Sequence, residues 1–345
     1  MSKRVYQLIL DLPEMIEKAI HLTQSALKGK QGLWQRFQPQ NLIISGMGGS
    51  GIGGEILKDL ANKYSPVPVI PSHDYTIPNL TGKGSLFLAV SYSGNTEETI
   101  SAYRQAKERK ALICIITSGG ELKKMAEAED DLLILIPPGL PPRQALGFLL
   151  TPLLVLSSQK KLLPFTISVI RKSAIKLKGW LTECSKIAQS LAKSFYQKIP
   201  YILAGSSLYT ACAYRWKCQL NENSKTLAFF NTLPEENHNE IEGIGRPKFM
   251  RNFLSIVVLF DPTAEERIKL RIRLLPTLLR GQFFSFQEVA PLGANDLERI
   301  LSLLLIGDLT SYYLGRKYKK DIEKIERIER LKALLGELTS GKKEL

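Results

Sequence analysis

The chain has 345 residues, 44% of them hydrophobic, with 47 lysines and arginines against 33 acidic residues and a formal net charge of +14. No apolar run reaches the roughly 18 residues of a membrane-spanning helix, and the first residues lack the apolar core of a signal peptide. The four cysteines lack the close pairing of a zinc site and read as reduced thiols, so a cytoplasmic location is expected, with no metal or cofactor. The positive balance raises nucleic acid first, but the basic residues are scattered through helical segments such as 171–178 and 316–320 without an aromatic-basic pattern. The expectation is no nucleic-acid and no membrane partner, and a surface that draws in anionic metabolites.

In chain order, residues 1–40 carry apolar positions at helical spacing and read as a helical brace or lid, with Trp34 and Phe37 free to pack on the neighbouring elements. Short, continuous apolar runs then alternate with helical stretches: 42–44, 67–70, 86–90, 112–116 and 132–136. Runs of that kind indicate parallel strands covered on both faces by helices. The first run feeds Gly46-Met-Gly48-Gly-Ser-Gly51, where missing Cβ atoms let backbone N–H groups approach an anion, with a helix N-terminus behind them. The pattern also fits a dinucleotide fingerprint, but that reading wants an acidic residue about 20 positions on, and Asp74 comes late, behind Pro71 and His73. A glycine turn serving packing alone is a further alternative.

A second loop favours a phosphorylated small molecule. Ser91, Ser93 and Thr96 follow the strand at 86–90, and Glu97 and Glu98 suit the first turn of a helix; a plain N-cap would need one hydroxyl rather than three. The prolines at 137, 138, 141 and 142 end the pattern, and Arg143 opens a long apolar helix, where it is placed either to face a ligand or to be solvated. Residues 159–197 read as connecting helices. A second α/β unit starts at residue 200, with a strand ending in Gly205-Ser-Ser207, a helix to about Asn221, a strand at 254–260, a helix at 265–279, a strand at 282–289 and helices at 296–315 and 321–335. Residues 221–240 are read as a polar loop between strands that could bring Glu222 and His238 to one cleft, a carboxylate and an imidazole suited to proton transfer near neutral pH. A structural histidine is the plainer reading of His238 by itself; its place between Asn237 and Asn239, which can orient a ring, favours a role.

The two loops resemble those of sugar isomerase domains, and Asn221-Glu-Asn-Ser-Lys225 with Pro234-Glu-Glu-Asn-His-Asn-Glu240 resembles the bifunctional phosphoglucose/phosphomannose isomerase family, through nearly the whole chain. The resemblance implies two doubly wound parallel-sheet sugar isomerase domains of flavodoxin-like α/β/α build. These would occupy residues 1–157 (with the N-terminal helix) and 199–345, joined by connecting helices at 158–198. It also implies a homodimer with shared sites and a hexose 6-phosphate substrate. Carried over, Gly48, Gly49, Ser50, Ser91, Ser93 and Thr96 would hold the 6-phosphate. Glu222 would be the base between C1 and C2, Arg143 would stabilise the enediolate, and His238 of the neighbouring subunit would assist ring opening. Thr310 would lie near C2–C3, and Lys317, seven residues later, would be the C-terminal catalytic lysine.

Two departures stand out: Glu236 where the family often has an apolar residue, read as a surface change, and the absence of an Asp-Pro turn in residues 315–321. Two other functions are open. A sugar-phosphate sensor would use the same cradle, but the DNA-binding segment such proteins usually bring is not evident. An isomerising glucosamine synthase would need an N-terminal cysteine, and the first here is Cys114.

Overall fold

The protein, described for residues 3–339 in a computed structural model, contains two parallel sheets separated by a shared layer of helices. Three helices come first: α1 (Lys3–Leu10), α2 (Leu12–Lys28) and α3 (Gln31–Arg36). Sheet A then alternates β1 (Asn41–Ser45), α4 (Gly48–Tyr64), β2 (Val69–Ser72), β3 (Ser85–Val90), α5 (Glu97–Glu108), β4 (Leu112–Thr117), α6 (Gly120–Ala128) and β5 (Leu132–Leu135). Its order is β2-β1-β3-β4-β5, parallel throughout. The chain reverses winding direction between β1 and β3, so their carboxyl ends flank the crevice where open α/β sheets bind ligands.

A 3-10 turn (Pro142–Gln144) leads into α7 (Leu146–Gln159), which is buried from Leu146 to Ser157 and carries no polar face. Helices α8 (Ile167–Gly179) and α9 (Leu181–Ser194) connect to sheet B. That sheet comprises β6 (Ile199–Ala204), α10 (Thr210–Ser224), β7 (Phe229–Thr232), α11 (Glu240–Gly243), β8 (Leu254–Leu259), α12 (Glu266–Leu278) and β9 (Ser285–Val289), followed by α13 (Asp296–Lys317) and α14 (Glu326–Thr339). Its order is β7-β6-β8-β9, again all parallel.

Side-chain alternation along the strands sets the layers. Leu42, Ile44, Leu86 and Leu88 point to one face of sheet A, and Ile202, Ala204, Val257 and Leu259 to one face of sheet B. Both faces join a single apolar core with α2, α4, α7, α10 and α13. The opposite faces, with Phe87 and Ile115 in sheet A and Leu203 and Val258 in sheet B, pack on α5 and α6 and on α12. Strands β1, β3 and β8 are buried at every position, which accounts for their unbroken apolar runs.

The polar-loop reading of 221–240 is corrected by the structure. Glu222 lies on the last turn of α10, and β7 runs through Phe229-Phe-Asn-Thr232 as a four-residue edge strand. An edge strand pairs on one side only, and Phe229 is exposed, so no apolar run announces it. Glu236 is likewise not on the surface. Its side chain is 0% exposed, with one oxygen accepting from Asn237 Nδ2 at 2.6 Å and the other lacking a partner among the described residues, and burial pushes its carboxyl up to about 7.

Candidate active site

The loop after β1 becomes the first turn of α4, with Met47 as the extended N-cap and Gly48 at φ 51°. Helix N-termini leave their first N–H groups without intrahelical acceptors, so Gly48 and Gly49 present donors and the positive end of the helix dipole. The turn is compact: a Cβ at Gly51 would stand 2.4 Å from the Gly46 carbonyl oxygen, and one at Gly49 would stand 2.8 Å from the Arg143 backbone nitrogen. Behind the turn, the His73 imidazole donates from Nδ1 to the Gly46 carbonyl (2.6 Å) and meets Glu55 at Nε2 (2.8 Å). The Glu55 partner holds the His73 pKa above its usual value, and His73 in return holds Glu55 below its own.

The loop after β3 supplies hydroxyls that are already oriented. Ser50 Oγ accepts from the Tyr92 N–H at 3.0 Å, Ser91 Oγ from Gly94 N at 3.1 Å and Ser93 Oγ from Asn95 N at 3.2 Å, while Ser91 and Thr96 share a bond of 2.8 Å. A hydroxyl that accepts from the backbone keeps its own proton for an anion, and only one proton is used between Ser91 and Thr96. The two loops therefore converge as a set of hydrogen-bond donors. Tyr92 ties the proline run to it, donating to the Pro137 carbonyl and accepting from Leu140 N.

Arg143 links this cradle to the second unit. Its backbone packs on Gly49, and its buried guanidinium reaches Asn223 Oδ1 (2.9 Å), the carbonyls of Ile322 (2.7 Å) and Glu323 (2.9 Å), and the vicinity of Glu222, 3.9 Å from Nε. Burial lowers its pKa, opposed by the Glu222, Glu323 and Glu329 carboxylates. Glu222 remains one-quarter exposed, and Lys225 beside it donates to the carbonyls of Glu222 and Lys324, its own pKa lowered by burial and by Arg143. A cradle for an anion, a fixed cation and a reachable carboxylate thus adjoin, which is what deprotonation next to a carbonyl of a phosphorylated substrate requires.

Other expected residues fall elsewhere in the chain. His238 is exposed on a 3-10 turn after the carboxyl end of β7, whereas Glu222 ends the helix that runs back to the amino end of that strand, so a single chain does not bring them together. Thr310 is fully buried and its hydroxyl donates to the Ile306 carbonyl. Lys317 is exposed, its ammonium 4.5 Å above the Tyr196 ring.

Several supporting residues belong to no sequence motif. Arg215 donates to both Asp308 oxygens (3.0 and 2.7 Å) and to the Arg143 carbonyl (2.9 Å), while Asn223 donates to Ser311 (2.9 Å). The signal for them is a lone carboxylate, Asp308, inside the apolar run of α13. The second unit repeats the β–turn–helix geometry without an open cradle: Asp59 of α4 accepts from Ala211 N at 2.7 Å, and Ser206 donates to Asp261 at 2.6 Å. Protein carboxylates occupy the place an anion would take there.

Two open α/β sheets with a hydroxyl-lined cradle at the first winding switch define a double sugar-isomerase-domain protein. The SIS domain family matches residues 37–140, and the bacterial phospho-glucose isomerase C-terminal SIS domain matches residues 184–335. The C-terminal domain of glucosamine-fructose-6-phosphate aminotransferase from Francisella tularensis superposes with a TM-score of 0.74 over 94% of this chain and 99% of that one; at 16% identity the likeness is one of fold. The bifunctional phosphoglucose/phosphomannose isomerase of Caldicellulosiruptor bescii is 35% identical over 97% of this chain and 99% of its own. A D-glucosamine-6-phosphate 4-epimerase of Sulfolobus acidocaldarius is 30% identical over 88% of this chain and 91% of its own. The chain belongs to the bifunctional phosphoglucose/phosphomannose isomerase family.

Proposed function

We propose that the protein interconverts glucose 6-phosphate and mannose 6-phosphate with fructose 6-phosphate through a cis-enediolate, with Glu222 as the base. The observation that carries this reading is the position of Arg143, packed by its backbone on Gly49 of the cradle and by its guanidinium against Asn223, 3.9 Å from Glu222. The 6-phosphate would take the Gly48 and Gly49 N–H groups and the hydroxyls of Ser50, Ser91, Ser93 and Thr96. Glu222 would then move a proton between C1 and C2 while Arg143 faces the developing oxyanion. Binding energy from the remote phosphate is thereby used at the reacting carbons. Both aldoses give the same enediolate, so rotation about C2–C3 before reprotonation would produce either epimer.

His238 of a second subunit would open the ring, with Lys317 and Thr310 completing the set. A homodimer is supported by an exposed apolar stripe on α12, where Leu270, Leu274 and Leu278 recur at helical spacing, and by exposed Phe249 and Phe253. The Glu222→Gln variant tests the base assignment. It is expected to retain fructose 6-phosphate binding while kcat falls by about 10²–10⁴; unchanged turnover removes Glu222 from that role. The similarity to a glucosamine 6-phosphate epimerase favours one second reading, an amino-sugar substrate. Turnover of glucosamine 6-phosphate with none of fructose 6-phosphate would establish it.

A further inference from the structure

Helices α2, α3 and the end of α7 line an open cavity of about 710 Å³ on the other side of the molecule from the cradle, beside the amino ends of the sheet A strands. Lys28, Trp34, Gln35, Gln159, Lys160 and Lys161 line it, and no carboxylate does. Lys160 is 8% exposed. Its ammonium lies 4.3 Å above the Trp34 ring and donates to the Trp34 and Phe37 carbonyls. Burial alone lowers its pKa, with no carboxylate nearby to oppose it.

Lys28 and Lys161 are exposed, and neither forms an ion pair among the described residues. A clip holding the α3–β1 connection to α7 would need Lys160 alone; it leaves the two further lysines and the glutamine amides at the cavity unexplained. What the cavity lining lacks is negative charge.

We propose that this cavity is a second binding site, distinct from the sugar-phosphate site, for a small polyanion of the polyphosphate class. Its recognition would use Lys28 and Lys161 as charges and the glutamine amides as donors. The proposal does not depend on the isomerase reading, because its residues are none of those at the cradle.

Calorimetric titration of the full-length protein with pyrophosphate, in saturating fructose 6-phosphate to fill the cradle, tests it. The expected result is one saturable site per chain, weakened at least tenfold in the Lys28→Gln/Lys161→Gln double variant. Both side chains are exposed, so that variant should fold and keep its turnover of fructose 6-phosphate without pyrophosphate. No saturable binding in the wild type, or equal affinity in the double variant, overturns the proposal.

Discussion

A buried cation is stable only when its donors are met, and Arg143 meets the requirement with one amide oxygen and two carbonyls from two separate parts of the chain. The sequence marked the residue, because it follows a proline break at the start of an apolar helix, but not its partners, which come from α10 and from the segment before α14. Asp59 is the counterpart that no motif announced. It is 4% exposed and caps the first turn of α10 through Ala211, and burial pushes its carboxyl up to about 7 from a usual 3.8. An acid whose pKa is higher folded than unfolded binds more protons in the native state between those values, so stability falls as pH rises from about 4 to 7. Chemical denaturation across that range should show a decline in the wild type that flattens in Asp59→Asn, whose amide oxygen can still accept from Ala211; identical pH profiles would dismiss the assignment.

Among the elements, the inner strands of sheet A were legible because they are buried on both faces and therefore apolar almost without interruption, as in Leu86-Phe-Leu-Ala-Val90. β7 was not legible, since an edge strand of two phenylalanines, an asparagine and a threonine has no such run. The helix carrying Glu222 was read as ending early for a related reason: Asn221, Asn223 and Ser224 are poor helix formers in solution, yet Asn223 and Ser224 are buried, with Asn223 tied to Ser311 and Arg143. Tertiary bonds outweigh propensity there. The α4 turn makes the opposite point, because its glycines were legible and their necessity is steric. In Gly51→Ala the new Cβ would meet the Gly46 carbonyl oxygen at 2.4 Å and His73 Cε1 at 2.9 Å. Overpacking of this kind costs about 1–3 kcal/mol, and the shift should fall on the phosphate cradle, raising KM for fructose 6-phosphate more than it lowers kcat. Steady-state kinetics with unchanged KM would show that the turn tolerates the methyl group.

The whole molecule divides a repeated fold into unequal halves. Both units present a strand, a small-residue turn and a helix, but Asp59 and Asp261 fill the second turn from within, leaving the first open toward Arg143 and Glu222. That inequality lay beyond the sequence, because it depends on which helix of one unit meets which helix of the other in the shared core. The net charge of +14 was legible, and part of it gathers around the cavity beneath α3 rather than at the cradle. The central claim is that the open cradle anchors a hexose phosphate while Glu222 exchanges hydrogen at the neighbouring carbons. Its most direct test is incubation of the protein with fructose 6-phosphate in deuterated water, with NMR of the products. Deuterium at C2 of both glucose 6-phosphate and mannose 6-phosphate is the predicted result, whereas recovery of unconverted fructose 6-phosphate alone would contradict it.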